Sequence, residues 1–243
     1  MTLSETRTDK TQQSPADLLG LIRAEPPLVQ CITNFVAMNI AANVLLSAGA
    51  SPAMVGDAEE AGEFAQIAGA LTVNIGTLSP QMMEGARAAI AGAHAAGRPG
   101  VFDPVACQAT AYRRGQGVDG RDAVETAEDG AGRLAEKTGA VVAVTGEVDY
   151  VTDGKREARV GGGSSFMPMN TAMGCSLTGL CGAYAAVAGD PFDAAVGALA
   201  HFAVAGTRAH KDASGPGSFA VLFLDALHAV GPDELSREAQ VTA

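Results

Sequence analysis

The chain has 243 residues, 47% of them hydrophobic, which suits one large α/β domain or two small ones. Its net charge of -11 excludes a nucleic-acid surface built from clustered Lys and Arg, yet leaves room for a phosphate held by backbone N–H groups. Aromatics make up 5% and Trp is absent, so the core is expected from Ala, Val, Leu and Ile, with 30 glycines allowing close helix–sheet packing.

Cys31, Cys107, Cys175 and Cys181 are widely spread, with no CxxC or CxxH pair, so no zinc site is expected. Residues 1–13 are polar and read as a disordered tail without a secretion signal. The most apolar region, 175–210, is cut by Asp190 and Asp193 and does not read as a membrane span. Free thiols in a reducing cytoplasm are the expectation.

Along the chain, Ser14-Pro15-Ala16-Asp17 has the form of a capped helix start. Leu28–Thr33 reads as a strand, Val36–Ala48 as a helix ending at Gly49, Ala53–Val55 as a strand and Ala58–Ala68 as a helix. Ala70–Ile75 is a buried strand, Ser79–Ala96 a helix with a Ser-Pro start, and Gly100–Phe102 the beginning of a further strand. Residues 104–121 form one long irregular stretch, followed by a helix at Asp122–Thr138. Ala140–Thr145 reads as the clearest buried strand. Val148–Val160 reads as a hairpin turning at Thr152-Asp153-Gly154-Lys155. The last third is mostly helical, near 175–188, 191–210 and 218–230, and 231–243 reads as a polar tail.

Alternating short strands and helices imply a mainly parallel central sheet with helices on both faces. Ligands of such sheets bind at the carboxyl ends of the strands. Polar or tight-turn residues stand there: Asn34 after the first strand, Asn74-Ile75-Gly76-Thr77 after the third, Asp103-Pro104 after the fourth, Thr145-Gly146-Glu147 after the fifth. Asn34 also suits a helix cap, Met54 core packing, Asp103 an Asp-Pro turn and Ser218 the cap of the last helix. The segment Asn170–Gly179 leads into an apolar helix, so its N–H groups offer an anion cradle, and Cys175 lies where a helix dipole lowers a thiol pKa. That is the layout of an α/β phosphotransferase or nucleotide-binding site.

Six motifs resemble those of the hydroxyethylthiazole kinase family. They are Pro27–Asn34, Gly49–Met54, Asn74–Leu78, Asp103-Pro104-Val105, Val144–Gly154 and Gly215–Phe219, in the family's order over residues 14–230. The resemblance implies one ribokinase-like domain over 14–230 and ATP- and Mg²⁺-dependent phosphorylation of the alcohol of 4-methyl-5-(2-hydroxyethyl)thiazole in thiamine biosynthesis. It also implies a homotrimer with active sites between subunits. By the same resemblance Met54, Asn34 and Ala172 are substrate-binding. Thr145 and Gly174 bind ATP or its phosphates, Cys175 is catalytic, and Asp103 holds the metal through water, with Glu147 a further candidate for that role.

Three departures from the family pattern stand out. Its Gly-Thr-Gly-Cys or Gly-Ala-Gly-Cys turn is Ala172-Met173-Gly174-Cys175 here, which strains the backbone if position 172 needs positive φ. The segment after Asp-Pro-Val is altered to Ala106-Cys107-Gln108-Ala109. After Tyr112-Arg113-Arg114 the chain jumps to Gly115-Gln116-Gly117, without the family's next helix, its next strand and their Arg-Gly-Asn-x-x-Glu motif. The missing strand predicts a gapped or rearranged sheet. It also raises a rival expectation, a catalytically impaired thiazole-binding relative. A cysteine hydrolase pairing Cys175 with His201 or His210 is a second rival, with no supporting Cys–His spacing.

Overall fold

The computed structural model describes residues 12–77, 79–105 and 127–243. Helix α1 (Pro15–Ala24) opens on the capping box read in the sequence: Ser14 Oγ accepts from the Asp17 N–H, and the Asp17 carboxylate accepts from the Ser14 N–H. Strand β1 (Leu28–Ile32) leads to α2 (Met38–Ala48), which stops at Gly49 in the left-handed region, φ 100°. Strand β2 (Ser51–Ala53), α3 (Ala61–Ile67), β3 (Ala70–Asn74), α4 (Pro80–Ala95) and β4 (Gly100–Asp103) follow.

These four strands are all parallel, in the order β2-β1-β3-β4. Strand β3 is buried at every residue, as Ala-Leu-Thr-Val-Asn at the centre of a covered sheet requires. Helices α3 and α4 cover one face around Ala61, Ala65, Leu71, Val73 and Ala89. The other face meets α6 (Met173–Val187), which runs along β1, β3 and β4. The approach is close because residue 182 is glycine: a Cβ there would lie 2.4 Å from Thr72 Cγ2 and 2.9 Å from Val29 Cγ1.

Helix α5 (Glu128–Thr138) precedes a second, antiparallel sheet in the order β5-β6-β7-β8. Strand β5 (Val142–Val144) pairs with β6 (Asp149–Thr152), and β6 turns at 153–156 into β7 (Glu157–Gly161). Helix α7 (Pro191–Asp212) lies against β6 and β7, and α8 (Pro216–Ala229) packs on α7 and α2. The largest cluster of buried side chains, including Leu18, Leu45, Leu180, Tyr184, Leu199, Phe219 and Phe223, joins α1, α2, α6, α7 and α8.

The mainly parallel, two-faced α/β expectation holds for β1–β4. The stretch at 140–145 differs: only Val142–Val144 is strand, and it is half-buried to exposed, because β5 is an edge paired on one side alone among the described residues. Strand β4 is likewise an edge among the described residues, with Phe102 61% exposed. Among the described residues the strands fall in two sheets ending at β4 and β5; residues 106–126, on which the expected gap bears, lie outside the described residues.

Residues 231–243, expected as a polar tail, carry α9 (Pro232–Glu238) and β8 (Gln240–Thr242). The reason is tertiary: Leu235 is fully buried and Val241 pairs with Val160 of β7. Of the expected N-terminal tail, 1–11 lie outside the described residues, and Gln13 bonds to Gly189 and Asp193. No described helix is long and apolar enough to cross a membrane.

Candidate active site

Parallel strands deliver their exits to one edge of a sheet. The order β2-β1-β3-β4 therefore sets Met54, Asn34, Asn74 and Asp103 in a row, although the chain reads them in a different order. Asn74 and Asp103 are register partners in β3 and β4, and the Asn74 Nδ2 donates to Asp103 Oδ2 at 2.6 Å. Asn74 Oδ1 accepts from the Gly76 N–H at 3.1 Å and from Asn34 Nδ2 at 2.8 Å. A Cβ at Gly76 would stand 3.1 Å from Asn34 Nδ2 and press on that amide. Asn34 is fully buried; its Oδ1 accepts from the Ala37 N–H just before α2, so capping and cleft placement coincide.

Helix α6 brings the second half of the site. Asn34 Nδ2 also lies 3.3 Å from Cys175 Sγ, and Thr178 Oγ1 donates to Asp103 Oδ2 at 2.7 Å. One polar cluster thus links Cys175, Asn34, Asn74, Asp103 and Thr178. Asn74 and Thr178 carry no role in the sequence reading. The signals available were the strand-exit position of Asn74 and the placement of Thr178 one helical turn beyond Cys175.

The start of α6 is open. Ala172, at φ 61°, turns the chain into α6, and the first intrahelical bond runs from the Ser176 N–H to Ala172 O. The N–H groups of Met173, Gly174 and Cys175 thus belong to the open first turn, where α6 has neither a capping side chain nor an acidic residue. Gly174 faces open space.

Ala172 and Val105 are the described non-glycine residues at positive φ, and both pack with Ala37 and Cys175 in one small cluster. For β-branched Val105, at φ 54°, this is a rare conformation. Strain concentrated at the mouth of a strand–helix cleft is a mark of a working site.

The thiol differs from expectation. Burial pushes the Cys175 pKa up, and the negative charge of Asp103 pushes the same way, against weaker help from Asn74 and Asn34. The helix start does not outweigh these effects, so Cys175 is a protonated thiol near neutral pH.

The remaining candidates divide. Met54 is half-buried at the exit of β2, packed on the main core. Thr145 and Glu147 are exposed in the turn between β5 and β6, outside the polar cluster. Burial raises the Cys181 thiol pKa, and Asp149, which opens β6 after that turn, and Asp103 both add to the rise. Gly215, not Ser218, is the N-cap of α8; Ser218 stands in the first turn, its Oγ accepting from the Ser214 and Gly215 N–H groups. Cys107, Arg113 and Arg114 lie outside the described residues. His201 is buried with Nε2 at 3.2 Å from Leu227 O, and His210 bonds Ser164, so neither histidine serves Cys175.

A sequence model described as the Hydroxyethylthiazole kinase family matches residues 19–116 and 113–233. The chain belongs to the hydroxyethylthiazole kinase family. The two matched segments meet at residues 113–116, within the stretch read in the sequence as shortened.

Among its relatives, a hydroxyethylthiazole kinase of Cereibacter sphaeroides (strain ATCC 17029) is 55% identical over 255 residues, covering 93% of this chain and 97% of the relative. Another, from Rhizobium leguminosarum bv. trifolii, is 54% identical and covers 96% and 99%. A solved hydroxyethylthiazole kinase structure from Pyrococcus horikoshii superposes with a TM-score of 0.86 at 33% identity, covering 94% of this chain and 98% of that one. These similarities establish the ribokinase-like α/β fold. The reading of an impaired binding protein finds no support among them.

Proposed function

We propose that this protein transfers the γ-phosphoryl group of ATP to the hydroxyl of 4-methyl-5-(2-hydroxyethyl)thiazole, in thiamine biosynthesis or salvage. The observation that carries the reading is the convergence of Cys175, Asp103 and the open first turn of α6 at the exits of β1, β3 and β4. The names of the relatives support the substrate.

The N–H groups around Gly174 receive the transferring phosphoryl group, where their dipoles stabilise its charge. Phosphoryl transfer usually passes through a loose transition state, so positioning counts for more than a strong base. A protonated Cys175 therefore serves by hydrogen-bonding and orienting the substrate hydroxyl. The thiazole ring lies toward Met54 and Asn34, beneath Ala172, and Thr145 takes the nucleotide side.

Asp103 suits Mg²⁺ held through water. Its Oδ2 already accepts from Asn74 and Thr178, and its Oδ1 accepts from the Val105 N–H at 2.9 Å. Little of the carboxylate is left for direct ligation, and no group of three or more His, Cys, Asp or Glu among the described residues is arranged to cage an ion. That matches an ion that keeps its waters and arrives with phosphates. When bound, it supplies charge neutralisation on those phosphates.

Exposed Phe35, Val36, Met169 and Val221 flank a cavity of about 200 Å³ lined by Val36, Ile40, Asn170, Met173, Ala220 and Phe223. A second copy covering this apolar rim accounts for it, in keeping with a homotrimer whose sites lie between subunits. Free Cys31, Cys175 and Cys181 suit the cytoplasm. Separate calorimetric titrations with Mg-ATP and with hydroxyethylthiazole test the reading. Binding of both is expected; thiazole binding without nucleotide binding sinks it.

A further inference from the structure

We infer that Asn74 is a positioning residue that fixes Asp103 and Cys175 in one frame. The inference rests on the kinase reading above for its catalytic consequence, and on geometry alone for the contact it describes.

The polarity of the network is set by groups whose roles are unambiguous. The Gly76 N–H only donates, so the atom of Asn74 facing it is the oxygen. The amide nitrogen of Asn74 then faces Asp103 at 2.6 Å, as a carboxylate acceptor demands. The Ala37 N–H fixes the Asn34 oxygen in the same way, which turns the Asn34 nitrogen toward both Asn74 Oδ1 and Cys175 Sγ. Neither amide can flip without setting like against like.

Asn74 is the only member of this network that touches both the Asp103 carboxylate and the Asn34 amide. Thr178 anchors Asp103 from α6 but does not contact Asn34. Asn74 is 1% exposed and ends β3, a strand buried at every residue, so its own position is rigid. Its amide transmits that rigidity in two directions: toward the acid that handles the nucleotide's metal, and through Asn34 toward the thiol that handles the alcohol. In-line transfer needs those two ends in a fixed relation.

The test compares N74A, N74D and T178V with the wild type by steady-state kinetics and by iodoacetamide labelling of the apo protein, read by mass spectrometry at Cys175 and at Cys31. N74D keeps the shape and the acceptor side but sets an oxygen against Asp103. We expect kcat to fall about tenfold or more in both N74A and N74D, with the thiazole KM changed less than about threefold. Labelling of Cys175 relative to buried Cys31 rises about threefold or more in N74A and stays unchanged in T178V, because local loosening exposes one thiol while global opening exposes both. N74D turning over at the wild-type rate, or an unchanged Cys175-to-Cys31 ratio in N74A, overturns the inference. A wild-type protein that does not phosphorylate the thiazole overturns the kinase reading instead, and the labelling ratio then decides this inference alone.

Discussion

Thr178 and Asp103 meet across the sheet–helix boundary: the Thr178 hydroxyl of α6 donates to Asp103 Oδ2 of β4 at 2.7 Å. The contact ties the helix whose first turn offers the phosphate cradle to the strand that ends in the acidic residue. A hydrogen bond to an ionised group contributes about 1.5–3 kcal/mol, more than a neutral pair.

Replacing Thr178 with Val keeps the shape and removes the donor. T178V should lose about 1–2 kcal/mol of stability, with kcat reduced as Asp103 gains freedom. Denaturant midpoints and steady-state rates check this; a midpoint equal to that of the wild type counts against the contact as a structural anchor.

Cys175→Ser shortens the side chain and swaps a thiol for a weaker-reaching hydroxyl beside the same Asn34 amide. On the proposed reading the thiol orients the acceptor alcohol, so kcat should fall about tenfold or more while the thiazole KM moves little. Unchanged turnover would remove Cys175 from the mechanism.

Ala172→Gly relieves the strain of φ 61°, a gain of about 1 kcal/mol. It also deletes a buried methyl and loosens the unfolded chain, each an opposing effect of about 0.5–1 kcal/mol. Net stability should therefore stay within about 1 kcal/mol of the native value. The space opened beside the cradle should lower the thiazole KM. A raised KM would show that the Ala172 methyl is a favourable substrate contact.

Asp149 gives the stability a pH dependence. Burial lifts its carboxyl from 3.8 to about 6, only partly offset by the Gly146 N–H. The folded state thus keeps a proton that the unfolded chain releases near 3.8. The contribution is full below that pH and is lost as pH rises through about 6. D149N, whose side-chain oxygen still accepts from Gly146, should match the wild type in acid and exceed it by up to about 2 kcal/mol above neutrality. Parallel stability curves for the two proteins would contradict the assignment.

Much of the fold was legible because its signals are local. The Ser14–Asp17 box, the Gly49 stop and the 153–156 turn each use a few adjacent residues, and the structure has all three. The C-terminal strand was not legible. Gln240-Val241-Thr242 is too short to show a period, and its pairing with β7 is made across about eighty residues of chain. The site divides the same way. Asn34, Asp103 and Cys175 could be named from motifs, but Asn74 becomes central only when sheet order places β3 between β1 and β4. The thiol's raised pKa needed the fold as well, since burial and the nearness of Asp103 are tertiary facts that outweigh the helix start.

The central claim is phosphoryl transfer to a thiazole alcohol at the Cys175–Asp103 cleft. Incubating the purified protein with Mg-ATP and hydroxyethylthiazole, and following ADP release together with the mass of the thiazole product, tests it most directly. The account predicts thiazole-dependent ADP release matched by phosphorylated thiazole. ADP release that ignores the thiazole, or no phosphorylated product from a folded protein that binds the thiazole, would contradict it.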